Sequence, residues 1–437
     1  MAEMQAVMAG FDCDVVIIGA GLAGAASAAK LGERGASVVL LEARKRVGGR
    51  AYARAFAGED GEALEFGGAW ITPWHHRIRA LAARHGLALR PRHPVTTRLW
   101  LRDGGLHDEG PTSAADRPRH ERAIARVAAD ALLMKTGHEA DEQGRPLTGV
   151  SFRAYLDRLD PPQATRDLFS AWWTVSGNGD HDRVAASEFL ASCAYGDGLA
   201  EGMIDVWVET VSPGMAVLAE RMIVTSGAAL RLNEPVQSIA QDQSGVTVST
   251  VSASIRAKAG IVALGVNQMA GLVFEPPLSP SQTAAVARGH GGRAFKLWAK
   301  LRGVAVGTLA TGGGRGVEFA FAERASDDGA ALVVAFGIQR DGDHPGKQAW
   351  VAAELGKFFP SAQLIAHDWH DWLADPYARG TWVAAPVGAE PGLDWRGWRP
   401  QGRLAFAGSD IAREQAGWFE AAVISGEEAA EAVGGLL

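Results

Sequence analysis

The stretch Asp14-Val15-Val16-Ile17-Ile18-Gly19-Ala20-Gly21-Leu22-Ala23-Gly24 decides the fold. Val15 to Ile18 are β-branched without interruption, the mark of a strand buried on both faces. The run stops at glycines and passes into Ala25-Ala26-Ser27-Ala28-Ala29-Lys30, which is small and helical. Each glycine has a mechanical reason. Gly19 allows the tight turn, Gly21 lets the backbone approach a pyrophosphate, and Gly24 lets the helix pack on its strand. The helix N-terminus offers unpaired N–H groups and positive potential to phosphate. A second apolar run, Ser37-Val38-Val39-Leu40-Leu41, ends at Glu42, an acid spaced to suit the ribose hydroxyls of an adenosine. The glycines alone would also serve a structural turn. With both strands, the helix and the terminal acid they specify a dinucleotide site in a Rossmann-like α/β domain.

At 437 residues the chain exceeds one simple core, so two interleaved domains are expected. Its 47% apolar composition and 54 glycines suit an α/β enzyme rich in tight turns. A formal charge of −7 argues against a general binder of nucleic acid or anionic membrane. Arg77, Arg79, Arg84, Arg90, Arg92, Arg98 and Arg102 occur with no acid among them. They read as solvated surface, with one or two near a cofactor phosphate. Cys13 and Cys193 are the only cysteines, which indicates no disulfide framework, no cysteine metal cluster and a reducing compartment. Residues 1–11 lack the basic start and long apolar run of a signal peptide, and no segment is long and apolar enough to span a bilayer. A cytoplasmic protein is expected.

Two more glycine pairs follow Glu42, in Arg44-Lys45-Arg46-Val47-Gly48-Gly49-Arg50 and in Leu64-Glu65-Phe66-Gly67-Gly68-Ala69-Trp70. A nicotinamide-binding domain has no need of them, and two further close backbone approaches suggest a cofactor extending past its pyrophosphate. From about Leu81 to Val206 the spacing turns helical. Ile124, Val127, Ala128, Ala131 and Leu132 fall on one helical face. Trp172 and Trp173 lie in this insertion and point about 100° apart on a helix, so at most one lines a pocket. Strand signals return at 229–232, 236–239 and 246–249, with Gln243-Ser244-Gly245 as a hairpin turn, and at Gly260 to Gly265. Ala294 to Arg302 alternates: Phe295, Leu297, Ala299 and Leu301 face one way, and Lys296, Trp298, Lys300 and Arg302 the other. Read from the residues alone, Lys296 is a solvated lysine on a strand.

The paired-glycine stretches resemble the second and third cofactor motifs of the flavin-dependent amine oxidases, the monoamine oxidase family. The likeness extends over nearly the whole chain and is weakest from about Pro111 to Thr165. Within the family, Gly289-His290-Gly291-Gly292, His370 to Pro376, Trp382-Val383-Ala384 and Gly408-Ser409-Asp410 are most similar to the bacterial 6-hydroxynicotine oxidases. The resemblance implies FAD bound in extended form by Gly19, Gly21, Gly24, Glu42, Arg44, Gly49, Arg50, Gly68, Ala69, Trp70, Val236, Gly408, Asp410, Gly417, Trp418, Phe419 and Ala422. It implies that the cofactor domain comprises 1–80, 207–288 and 390–437, and the substrate domain 81–206 and 289–389. Lys296 becomes the lysine held through a water near flavin N5. Trp382 and Trp418 become substrate-side catalytic aromatics, Trp418 standing where an aromatic cage usually has Tyr. Trp173 and Thr174 are placed at the substrate, Thr174 where the nearest pattern has Asn. No cysteine lies near Trp382 to Trp418, so the FAD is expected to be noncovalent, and no metal is expected.

The implied activity is oxidation of a C–N bond in a small, cyclic or aromatic, secondary or tertiary amine, with hydride passing to flavin N5. Oxygen or an electron carrier would take the electrons. A homodimer is left open, as are three other readings: a C–C desaturase of the same superfamily, a non-catalytic binding protein of this fold, and a nicotinamide-dependent dehydrogenase.

Overall fold

The computed structural model describes residues 10–56, 63–196, 198, 205–388 and 397–437. The elements that frame its main cleft are β1 (Cys13–Ile18), α1 (Leu22–Gly32), β2 (Val38–Leu41), α2 (Gln163–Ser176), α3 (Met215–Ser226), β3 (Ala294–Arg302) and α4 (Phe419–Gly434).

β1 lies in the middle of an eight-stranded sheet. It runs parallel to β2, with Ile17 opposite Leu40, and parallel to Ser254–Val262, with Ile17 opposite Ile261. A parallel pair needs a crossover, and α1 supplies it between β1 and β2. Val15, Val16 and Ile17 are fully buried, because helices cover one face and the strands at 236–250 pack on the other. Each such side chain contributes about 1.5–3 kcal/mol. α4 closes the helical layer: Ser27 Oγ donates to Gly426 O at 2.8 Å, and a Cβ at Gly426 would lie 2.2 Å from Ala23 O. The expected hairpin forms, with Asp242 Oδ1 accepting from the Ser244 and Gly245 N–H groups.

A second, seven-stranded sheet contains β3 between Gln363–Trp369 and Ala331–Ile338. Its alternation is realised. Phe295, Leu297, Ala299 and Leu301 pack with Val351, Leu355 and Phe358 of the helix Gln348–Phe358, while Lys296 lines the cleft and Trp298 joins the core beside it. Lys300 is buried as well, 3.1 Å from Asp328. The mixed α/β architecture expected from the sequence is therefore present.

Past the helix His76–Arg84 the insertion after Leu81 continues in strands rather than helices. Ala88–Pro91, Thr97–Arg102 and Gly105–His107 are strands; the first pairs with Glu209–Ser212 and the second runs parallel to Thr308–Gly312. Ala88–Pro91 and Thr97–Arg102 find these partners more than a hundred residues away, which no local spacing shows, whereas Gly105–His107 folds back on Thr97–Arg102 across Asp103-Gly104. In the helix Arg117–Lys135 the buried face holds His120, Ala123, Val127, Asp130 and Ala131, whereas Leu132 is 46% exposed. A polar anchor turns the helix: Asp130 is fully buried, accepts from Tyr155 Oη at 2.7 Å and pairs with Arg126. The arginine-rich stretch does not reach the cleft. Arg77, Arg79, Arg84, Arg98 and Arg102 pair with Glu427, Glu209, Glu33, Asp205 and Glu109, and none of the seven lines the cavity. Cys13 and Cys193 are free and buried. Among the described residues no helix is long and apolar enough to cross a membrane.

Candidate functional site

A cleft of about 360 Å³ runs from the carboxyl end of the first sheet to the cleft-facing side of the second. Its near end is built by the β1–α1 turn. Gly19 sits at φ +103° with Ala263 O pressed against it, and a Cβ at Gly24 would lie 1.9 Å from Gly19 O. Gly21 is different. A Cβ there would meet nothing closer than Gly49 Cα at 3.8 Å, so the room beside it belongs to the cleft. No side chain caps α1 and its first turn holds no acid, which leaves its N–H groups and positive end open to phosphate. Glu42 is fixed where β2 ends, its two oxygens each accepting an N–H at 2.9 Å, from Ala20 and Arg44. Val236 and Glu234 complete this end.

Arg44 and Arg50 bring positive charge to the middle. Arg44 donates to Asp375 at 2.8 Å; Arg50 donates to Thr381 O and Asp410, each at 2.6 Å. Asp410 does not line the cleft. It is fully buried behind Arg50, and its Oδ2 accepts from the Val266 N–H. Burial pushes its carboxyl up, but the Arg50 and His290 charges and these hydrogen bonds hold it below the usual range. An acid at this place therefore orients an arginine, which a Glu or an Asp can do.

Gly49, Gly68, Ala69, Trp70, Gly408, Gly417, Trp418, Phe419 and Ala422 all line the cleft. Gly68 abuts Phe419 so closely that a Cβ would stand 2.4 Å from the ring. Phe419 opens α4, whose N-terminus, like that of α1, is uncapped by any side chain. The far end is aromatic: Trp70, Trp207, Phe336, Trp372, Trp382 and Trp418, with Lys296 as its one charged residue among the described ones. Lys296 is 4% exposed and donates from Nζ to Gly67 O at 3.0 Å, with the rings of Trp70, Trp298 and Phe336 centred 5.6, 5.8 and 5.7 Å away. Burial lowers its pKa, against the charges of Glu65 and Glu323, which raise it. Trp382 donates from Nε1 to Gly177 O, which ties it to the end of α2; Trp418 packs at 5.3 Å on His75.

α2 meets the cleft in a different register from the one expected. Trp173 is a core residue, 5.5 Å from the Phe152 ring and donating to Gly179 O at 3.3 Å. Thr174 is fully buried and donates back to Ala171 O at 2.7 Å. Neither lines the cavity; Val175 and Ser176 do. The helix ends there, and only its last turn reaches the site. Trp207, Phe336 and Trp372 also escaped the sequence reading. Trp372 lay within a recognised stretch, but no local pattern marks the other two.

These residues fit a long dinucleotide cofactor: two uncapped helix N-termini, two arginines and a glycine-lined floor lie along one cleft. The comparisons with known proteins agree. The family described as flavin containing amine oxidoreductase matches residues 22–434. (S)-6-hydroxynicotine oxidase of Paenarthrobacter nicotinovorans is 30% identical over 435 residues, covering 96% of this chain and 99% of its own. Pseudooxynicotine dehydrogenase of a Pseudomonas species is 25% identical, covering 95% and 85%. Among solved structures, putrescine oxidase bound to putrescine superposes with a TM-score of 0.83 at 24% identity, covering 97% and 99%, and shares the fold. By the extent of that match the chain belongs to the flavin-containing amine oxidoreductase family.

Proposed function

We propose that this enzyme oxidises the C–N bond of a small cyclic or aromatic secondary or tertiary amine, with FAD held noncovalently and oxygen as the acceptor. The observation that carries the reading is the aromatic far end of the cleft, where Trp382 and Trp418 line the wall together with Gly68 and Gly417, and Lys296 is the one charged residue among the described ones. Bound FAD would supply the acceptor for a hydride from the carbon beside nitrogen. The residues do the rest. The tryptophan walls exclude water and disfavour the ammonium form, so the amine sits with its lone pair free to assist hydride departure. Trp382 and Trp418 orient the nitrogen by their faces. No side-chain base is required, and the far end presents no carboxylate or imidazole among its described lining residues. The α4 N-terminus at Phe419, uncapped by any side chain, would offer positive potential to negative charge developing on bound FAD, while Glu420 in its first turn is held by the Arg77 and Ile78 N–H groups. Lys296 uses one N–H on Gly67 O and keeps the others for a water in the cleft.

The similarity to a 6-hydroxynicotine oxidase supports a cyclic amine. Neither cysteine lines the cleft, which supports noncovalent attachment. The decisive test is an anaerobic screen of cyclic and aromatic amines against the purified yellow protein. Bleaching near 450 nm by secondary amines is expected; bleaching by none, or a colourless protein, would overturn the reading. Reoxidation in air at least tenfold slower than with an added electron carrier would overturn oxygen as the acceptor.

A further inference from the structure

Glu65 is a buried acid beside the cleft that the chemistry above leaves unused. It lies on the strand Leu64–Glu65, and the chain there runs alongside β3 in a two-rung ladder. Trp298 Nε1 donates to Glu65 O at 2.9 Å, and two residues along on both chains Lys296 Nζ donates to Gly67 O at 3.0 Å. The Glu65 carboxyl group is enclosed. Oε1 accepts from Met215 N at 2.6 Å, the first N–H of α3, whose N-cap Gly214 has no side chain to cap it. Oε2 is buried with no hydrogen-bond partner among the described residues. Lys296, for its part, has one oxygen acceptor and three aromatic rings around it among the described residues. An ammonium that is 4% exposed at the wall of the cleft, among aromatic rings, is favoured by a counter-charge nearby.

We propose that Glu65 is a positioning residue for the reaction: its carboxylate is the counter-charge that keeps Lys296 protonated at the far end of the cleft. The charges facing Lys296 are Glu65, Glu323 and Arg324. Glu323 is the weaker candidate, because Arg324, Arg90 and Arg92 face it in addition to Lys296. Glu65 is faced by Lys296, Arg90 and Arg46, with Lys296 the strongest of the three. Burial pushes the carboxyl up and the ammonium down, so the two charges depend on each other. Removing the negative charge should let Lys296 lose its proton at lower pH. The inference goes beyond the amine reading but rests on Lys296 lying beside the cofactor's ring, and its test needs no amine.

Glu65→Gln keeps an oxygen for the Met215 N–H, so the α3 cap survives while the charge is lost. The resting holoenzyme's visible flavin spectrum is titrated from pH 6 to 10 for wild type, E65Q, K296M and the double variant, with thermal midpoints recorded on the same samples. Wild type should show a spectral transition that K296M abolishes and E65Q moves down by about one pH unit or more. In the double variant E65Q should add nothing. An E65Q transition at the wild-type pH would overturn the role of Glu65, as would a shift that persists without Lys296. A K296M spectrum that titrates like wild type would overturn the placement of Lys296 on which the inference stands. A thermal midpoint for E65Q far below wild type at every pH, with the transition unmoved, would assign Glu65 to capping alone.

Discussion

Lys296 shows how burial changes the meaning of a residue. On β3 it alternates like its neighbours, yet it is 4% exposed and held by a carbonyl and three rings. Lys296→Met fills the same space without donors. It should slow flavin reduction or reoxidation by more than about tenfold while leaving the flavin bound, as stopped-flow absorbance in each half-reaction would show. Trp418 is the second test. It is partly buried and rests on His75, so Trp418→Ala should lower amine turnover by about tenfold or more with a thermal midpoint changed by only a few degrees. Loss of soluble protein would assign Trp418 to packing instead. Both residues carried a motif signal in the sequence. What the sequence could not show is that the Glu65–Gly67 segment lies along β3, with Lys296 on Gly67 O and Trp298 on Glu65 O, because that pairing joins distant parts of the chain.

At the scale of elements, the turn from β1 to α1 separates two roles among its glycines. Gly24 touches protein: a Cβ there would collide with Gly19 O at 1.9 Å. Gly21 faces the cleft, where an added Cβ would come no closer than 3.8 Å to a protein atom. Gly24→Ala should therefore destabilise the chain by about 2 kcal/mol or more, read as a fall in thermal midpoint even without flavin. Gly21→Ala should leave the apoprotein's midpoint near wild type but weaken flavin binding by about tenfold or more, read by equilibrium dialysis. Equal effects of the two would contradict the division. α2 teaches the opposite lesson. Its tryptophan pair drew attention, yet Trp173 packs inward and only Val175 and Ser176 reach the cleft. Helical periodicity gives the angle between residues, while the crossing of α2 over the second sheet selects the turn that lines the site.

For the molecule as a whole, acid should be destabilising in a defined window. Burial pushes His75 and His181 down to about 3 from an ordinary value of 6.5. Between those values the unfolded chain binds protons that the folded chain refuses. Stability should fall as the pH drops from 6.5 towards 3, at up to about 1.4 kcal/mol per pH unit for each histidine. Urea midpoints measured from pH 7 to pH 4 would check the slope, and His75→Gln should flatten it. A slope unchanged in that variant would mean that His75 is charged in the folded state. The cleft depends on this global arrangement: the first sheet brings the helix N-termini and arginines, and the second brings Lys296 and part of the aromatic wall.

The sequence by itself determined the cofactor end, because that end is written in short-range terms. A buried strand, a glycine turn, a helix and a terminal acid occupy residues 14–42, and each has a local backbone reason. The later glycine pairs, the alternation of β3 and the strand before Gly408 were legible for the same cause. Only the tertiary structure decided the rest. The strands at 88–91 and 97–102 depend on partners near 210 and 310, Asp410 acts through Arg50 from behind the wall, and Trp207 and Phe336 reach the far end from distant elements. Long-range pairing and burial leave no period in the sequence, so the wall facing the substrate is visible only once the chain has folded.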